Sequence, residues 1–270
     1  MRDFQGKVVV VTGAAGGLGR ALCLRFGAAG SRIVALDRDA SALTALLDDL
    51  HARGMAAITE VCDVSLEEDC RRAIAGAMQA FGGIDVLVNN AGITHRSAFA
   101  RTQADVIRRV MAVNFFGALD CTHAALPSLL ARQGMIIVIS SVAGFAPLIA
   151  RTGYSASKHA LHGFFDSLRT EVEPLGVEVL MVCPSFIQTG IDKNALAGDG
   201  NLVSHPQSIV GTRTTPGAIA EKIFAAATRG RRLLLPDMVS RSSWWLSRLA
   251  PRFYERQMTR RLAQEMSARR

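Results

Sequence analysis

A chain of 270 residues, 49% hydrophobic and 20% charged, has room for one large α/β domain or one domain with an appendage, and its apolar content excludes intrinsic disorder. No stretch approaches the ~20 uninterrupted apolar residues of a membrane-spanning helix, and residues 1–6 lead into a valine run without a secretory leader's apolar segment, so a cytoplasmic setting is expected. The net charge of +8 sits entirely in residues 229–270, where eleven arginines face three acids; the remainder is balanced, and since no recognition motif accompanies that charge, no nucleic-acid partner is expected.

The elements follow in chain order as short β-branched runs alternating with longer helical patterns. A strand at 7–12 enters the turn Thr12-Gly13-Ala14-Ala15-Gly16-Gly17-Leu18-Gly19, from which a helix runs over 19–28. Strand 32–36 ends at Asp37 and precedes helix 41–53, strand 57–62, helix 66–81 and strand 84–88. One long helix is expected over 102–130, then strand 135–140, helix 154–174 and strand 177–183. Residues 185–216 break the rhythm as a long loop, before helix 217–228 and strand 231–235. Near-continuous apolar strands separated by helices predict a Rossmann-type, doubly wound parallel sheet over 1–236, with a basic, amphipathic helical extension over 237–270.

The Gly-rich turn has the chemistry of a phosphate cradle. Glycine lets the backbone approach a pyrophosphate closely, and free amides at a helix N-terminus attract its charge. Asp37 stands where a carboxylate accepts hydrogen bonds from the adenosine ribose and repels a 2′-phosphate. Arg38 could pair with that phosphate, but Gly16 offers no further cation. NAD is therefore favoured over NADP.

In Gly153-Tyr154-Ser155-Ala156-Ser157-Lys158, Tyr154 and Lys158 lie four apart and share a helix face. An ammonium near the phenol is expected to lower its pKa from ~10, so that it can exchange a proton with a substrate oxygen. Ser140 or Ser141, at a strand end, could hold that oxygen. Five scattered cysteines and six histidines show no metal-ligand spacing, so no metal is expected and the cysteines read as buried or free thiols. His159 and His162, beside the tyrosine, read as surface or core residues and not as catalytic ones.

Taken together, the Gly-rich turn, Asn89-Asn90-Ala91-Gly92, Asn114, Ser141 and Tyr154-x-x-x-Lys158 resemble the short-chain dehydrogenase/reductase family over about residues 7–235. That resemblance implies a catalytic set of Asn114, Ser141, Tyr154 and Lys158, with Asn114 holding a water in a proton relay through Lys158. It also implies cofactor contacts at Thr12, Gly13, Gly17, Leu18, Gly19 and Asp37. Asp63 and Val64 would lie near the adenine, Asn90, Ala91 and Gly92 on the adenosine side, and Pro184, Ile187 and Thr189 near the nicotinamide. Ser185 departs from the family, which usually has glycine after that proline.

The reaction expected is hydride transfer between the cofactor and an alcohol or ketone. Phe145, Pro147, Leu148, Ile149, Phe186, Ile191 and Leu196 would give a hydrophobic secondary alcohol or ketone an apolar pocket. The alternatives are an NADP-dependent carbonyl reductase and a dinucleotide-binding sensor that has lost catalysis. A homo-oligomer, dimer or tetramer, is expected. In the tail, Tyr254, Met258, Leu262 and Met266 recur every four residues, with Arg252, Arg256 and Arg260 on roughly the opposite face, after Trp244-Trp245-Leu246 and Pro251. This helix could lie peripherally on an anionic membrane surface, or pack on the body of the enzyme or a sister subunit.

Overall fold

In a computed structural model, residues 1–192, 194–203 and 213–261 are described. Seven parallel strands form one sheet in the order β3-β2-β1-β4-β5-β6-β7: β1 (Val8–Thr12), β2 (Arg32–Asp37), β3 (Ala57–Val61), β4 (Val86–Asn89), β5 (Met135–Ile139), β6 (Glu178–Val182) and β7 (Leu233–Leu234). The doubly wound sheet is as expected. Its register sets Thr12 opposite Leu36 and Val11 opposite Val88.

The valine run of β1 explains itself through burial. Val9 and Val11 enter one core, Val8 and Val10 the other, and all four are fully buried. Burying each such side chain contributes about 1.5–3 kcal/mol, so the strand that leads into the Gly-rich turn is firmly anchored. The first core is covered by α1 (Gly17–Ala28), α2 (Ala40–Ala52) and α7 (Pro216–Thr228); the second by α3 (Glu67–Phe81), α5 (Gly117–Ala131) and α6 (Thr152–Val172).

Several boundaries differ from the sequence reading, among them the helix expected over 154–174, which is Thr152–Val172. The single helix expected over 102–130 is α4 (Ala104–Met111), a π-turn over Ala112–Phe116 and then α5. Gly117, the first residue of α5, abuts Val64, where an added Cβ would lie 2.7 Å from the Val64 carbonyl oxygen. The strand expected at 231–235 is only two residues long, β7 pairing with β6 at the sheet edge. The helix after the Gly-rich turn begins two residues earlier than expected, at Gly17.

The tail forms two helices, α8 (Met238–Leu249) and α9 (Pro251–Arg261). Asp237 and Ser240 build a reciprocal cap on α8, satisfying two helix-end amides. Leu262 and Met266 lie outside the described residues, so the expected four-residue stripe is tested only at Tyr254 and Met258. Among the described residues, no helix is long and apolar enough to cross a membrane.

Candidate active site

Strand order reverses between β1 and β4, and the turns after these strands frame a cleft of about 1070 Å³. Gly13 has φ +63°, and a Cβ there would lie 2.8 Å from the Ala91 Cα; a Cβ on Gly19 would collide with the Gly13 carbonyl. Glycine is thus required by contact as well as by conformation. Gly17, Leu18 and Gly19 form the first turn of α1, whose amides have no intrahelical partner and open onto the cleft. The side chain of Thr12 is a clamp between strands: its hydroxyl accepts from the Asn90 and Ala91 amides, each at 3.0 Å, and donates to the Val88 carbonyl. The Asn90 side-chain amide donates to the carbonyls of Thr12 and Gly13, completing the brace.

Asp37 accepts from the Ala15 amide at 3.0 Å and from the Asp39 amide at 3.2 Å, which fixes its carboxylate at the rim. Arg38 lines the cleft between Asp37 and Asp39. Asp63 accepts from Ser65 through Oδ1, and Val64 lies buried beside it. Gly17 meets Thr189, whose amide donates to the Ile187 carbonyl, and the Pro184 carbonyl accepts from the Val142 amide. The unusual Ser185 is held by its main chain, its amide donating to Asp237 at 3.1 Å. A cradle without side chains, free helix-end amides and a carboxylate at the next strand end together fit a dinucleotide.

At the other end of the cleft, the first turn of α6 presents Tyr154, and the helix carries Lys158 one turn on. The Lys158 ammonium donates to the Ile139 carbonyl at 2.8 Å and lies 5.8 Å from the centre of the Tyr154 ring. Burial pulls its pKa down to about 8. Ser141 acts on the Tyr154 hydroxyl and opposes the rise in its pKa, whereas Ser140 is turned toward the Lys158 carbonyl. Of the two serines, therefore, Ser141 is the one at the tyrosine.

The electrostatics differ from the sequence expectation. Burial raises the Tyr154 pKa above its ordinary value, and Ser141 and the Arg151 charge only partly oppose this. Asn114, inside the π-turn, is also more committed than expected. Its Oδ1 accepts from the Ile93 amide at 2.8 Å, and its Nδ2 donates to the Ile93 carbonyl and the Ser157 hydroxyl, both at 2.9 Å. Its side chain is a brace beside Lys158.

Two residues gave no warning in the sequence. Arg151 is buried in the cleft wall and donates to Thr94 and to the His95 carbonyl. His95 accepts from the Gly153 amide at 2.9 Å, capping the helix that carries Tyr154 and Lys158. These partners are 56 to 58 residues apart in sequence, so no local pattern could announce them. His159 is exposed, and His162 packs against Phe145 and Cys183, so neither stands at the tyrosine. All five cysteines are buried and free, and among the described residues no cluster could hold a metal.

Of the apolar residues expected around a substrate, Leu148, Phe186, Ile191 and Leu196 line the cleft. Phe145 instead packs on Trp244, their ring centres 4.8 Å apart. The remaining wall comes from the tail, through Val239, Leu246, Phe253, Tyr254 and Met258, and the Ile149 amide donates to the Met258 sulfur. Both tyrosines of the chain, Tyr154 and Tyr254, thus face the same cleft.

Comparison with known proteins agrees with this geometry. The profile of the short chain dehydrogenase family matches residues 7–199. Dehydrogenase/reductase SDR family member 7B of Bos taurus is 38% identical over 274 residues, covering 98% of this chain and 84% of that protein. Dehydrogenase/reductase SDR family protein 7-like of Anopheles gambiae is 37% identical over 262 residues, with coverages of 94% and 82%. The crystal structure of a short chain dehydrogenase/reductase SDR from Burkholderia phymatum in complex with NAD superposes with a TM-score of 0.84 at 26% identity, covering 94% of this chain and 96% of that one.

Proposed function

Because this chain belongs to the short-chain dehydrogenase family and is an oxidoreductase of that family, we propose that it is an NAD-linked dehydrogenase/reductase of a hydrophobic secondary alcohol or ketone. The observation that carries this reading is that Ser141, Tyr154 and Lys158 line one end of a cleft whose other end is the Gly-rich cradle.

Gly13, Gly17, Leu18, Gly19, Asp37, Asp63, Val64, Asn90, Ala91, Gly92, Pro184, Ile187 and Thr189 would hold a nicotinamide dinucleotide, which donates or takes up hydride when bound. In the reductive direction, Tyr154 gives its hydroxyl proton to the substrate oxygen while the Ser141 hydroxyl donates a hydrogen bond to the same atom. In the oxidative direction, Tyr154 takes the proton back. The positive charges of Lys158 and Arg151 favour the phenolate that this exchange requires. Asn114 holds Ile93 and Ser157 in place beside Lys158, which positions the route by which the lysine exchanges protons. Asp37 and Asp39 on either side of Arg38 make the adenosine end hostile to an additional phosphate, which favours NAD.

Titrating the purified protein with each cofactor, then repeating with Asp37→Ala, tests the preference. NAD should bind more tightly to the unmodified protein, and the substitution should narrow the gap; tighter binding of NADP overturns the assignment. In the same preparation, Tyr154→Phe should lower turnover by about 10²–10⁴-fold while cofactor affinity stays within about twofold. A fully active variant would refute the mechanism.

A further inference from the structure

We propose that the outward face of α8 docks this protein on an anionic lipid surface. The helix carries apolar side chains on its outward side as well as its inward one. Its inward side chains include Ser240 and Ser243, 0% and 7% exposed, while Met238, Trp245 and Leu249 point outward at 74%, 62% and 78% exposure. At about 100° per residue these three fall within roughly 40° of arc, forming one apolar ridge. An apolar stripe normally faces the core; here Val239, Trp244 and Leu246 turn inward with the two serines, and a second apolar ridge is left to the surroundings. The Asp237–Ser240 cap and the Trp244–Phe145 contact fix the orientation of the helix, so this outward presentation is built into the fold.

Charge selects the occupant. Arg241 and Arg248 lie along one side of the ridge, exposed Arg252, Arg256 and Arg260 follow on α9, and Glu255 is the one acid between residues 238 and 261. A second copy seated on this face about a twofold axis would bring two sets of arginines together. An anionic bilayer accepts both parts of the pattern, taking the ridge into its interface and the arginines at its headgroups. Phe253 is half exposed and also lines the cleft.

The test uses the whole chain and vesicles of phosphatidylcholine, alone or mixed with phosphatidylserine. The protein should co-sediment with the mixed vesicles, much less with phosphatidylcholine alone, and progressively less as salt rises. Met238→Ser/Trp245→Ser/Leu249→Ser should reduce mixed-vesicle binding by about tenfold or more while cofactor affinity, which reports folding, is unchanged. A second measurement stands apart from that variant. In Trp244→Phe, Trp245 is the sole tryptophan, and its emission should shift to the blue and be quenched by brominated acyl chains. Absence of vesicle binding, equal binding by the triple variant, or an unquenched Trp245 overturns the proposal. A triple variant that changes oligomeric state but not lipid binding overturns it as well, assigning the ridge to a second copy.

Discussion

Lys158 is the residue at which the cost of building the site is most measurable. Its ammonium is buried, so its folded pKa of about 8 lies below the usual lysine value. Between about pH 8 and 10.5 the unfolded chain binds a proton at this position that the folded chain does not, so the lysine's contribution to stability rises with pH. Buried thiols act oppositely in the same range, because folding raises their pKa values, so the contribution must be read as a difference. The stability of wild type minus that of Lys158→Met, from denaturant unfolding of cofactor-free protein, should move in the wild type's favour by about 3 kcal/mol across this window. A pH-independent difference would contradict the burial of a charged amine. The pairing of Lys158 with Tyr154 was legible as a helical spacing. The rise in the tyrosine's pKa was not, since it comes from burial by segments distant in sequence.

At the scale of elements, α6 depends on a cap that its own sequence does not contain. His95 accepts the Gly153 amide through Nε2, so the ring must be neutral and carry its proton on Nδ1, toward Ser97. Burial holds the His95 pKa down to about 4, consistent with that role. A depressed histidine pKa gives stability that is complete above about pH 6.5 and is lost as pH falls toward 4. His162 lies in the same window for the same reason, so one substitution should remove only part of the acid slope. His95→Phe should cost about 1–3 kcal/mol at pH 7, since a buried amide loses its acceptor. It should also flatten the pH 4–6.5 stability profile and lower turnover through displacement of Tyr154. An unchanged acid slope would deny His95 this function. Strands and most helices could be read from periodicity because each buries its own apolar set. The π-turn could not, because residues 104–131 keep one helical periodicity through it and no residue pattern marks the wider turn.

For the molecule as a whole, Asp237 joins two parts that the sequence presented as domain and tail. One carboxylate oxygen accepts the Ser240 amide that caps α8, and the other accepts the amide of Ser185 beside the cleft. Asp237→Ala should lower stability by only about 0.5–2 kcal/mol, the cost of a lost N-cap. Tryptic cleavage within residues 241–261 should accelerate far more than global unfolding does, because the tail then opens locally. Unchanged cleavage would mean that the α8 cap does not hold the tail. The sequence left open whether the basic tail packs on the enzyme or elsewhere, since periodicity shows that a stripe exists and not what covers it. In the structure, Met258 and Tyr254 face the cleft while Trp245 faces outward, so one tail has both kinds of surface. That arrangement also bears on how the cleft can be observed. With Tyr154 and Tyr254 the only two tyrosines, isotope labelling of that amino acid alone yields a spectrum with one resonance from the reacting end, one from the mouth and no background from the rest of the chain.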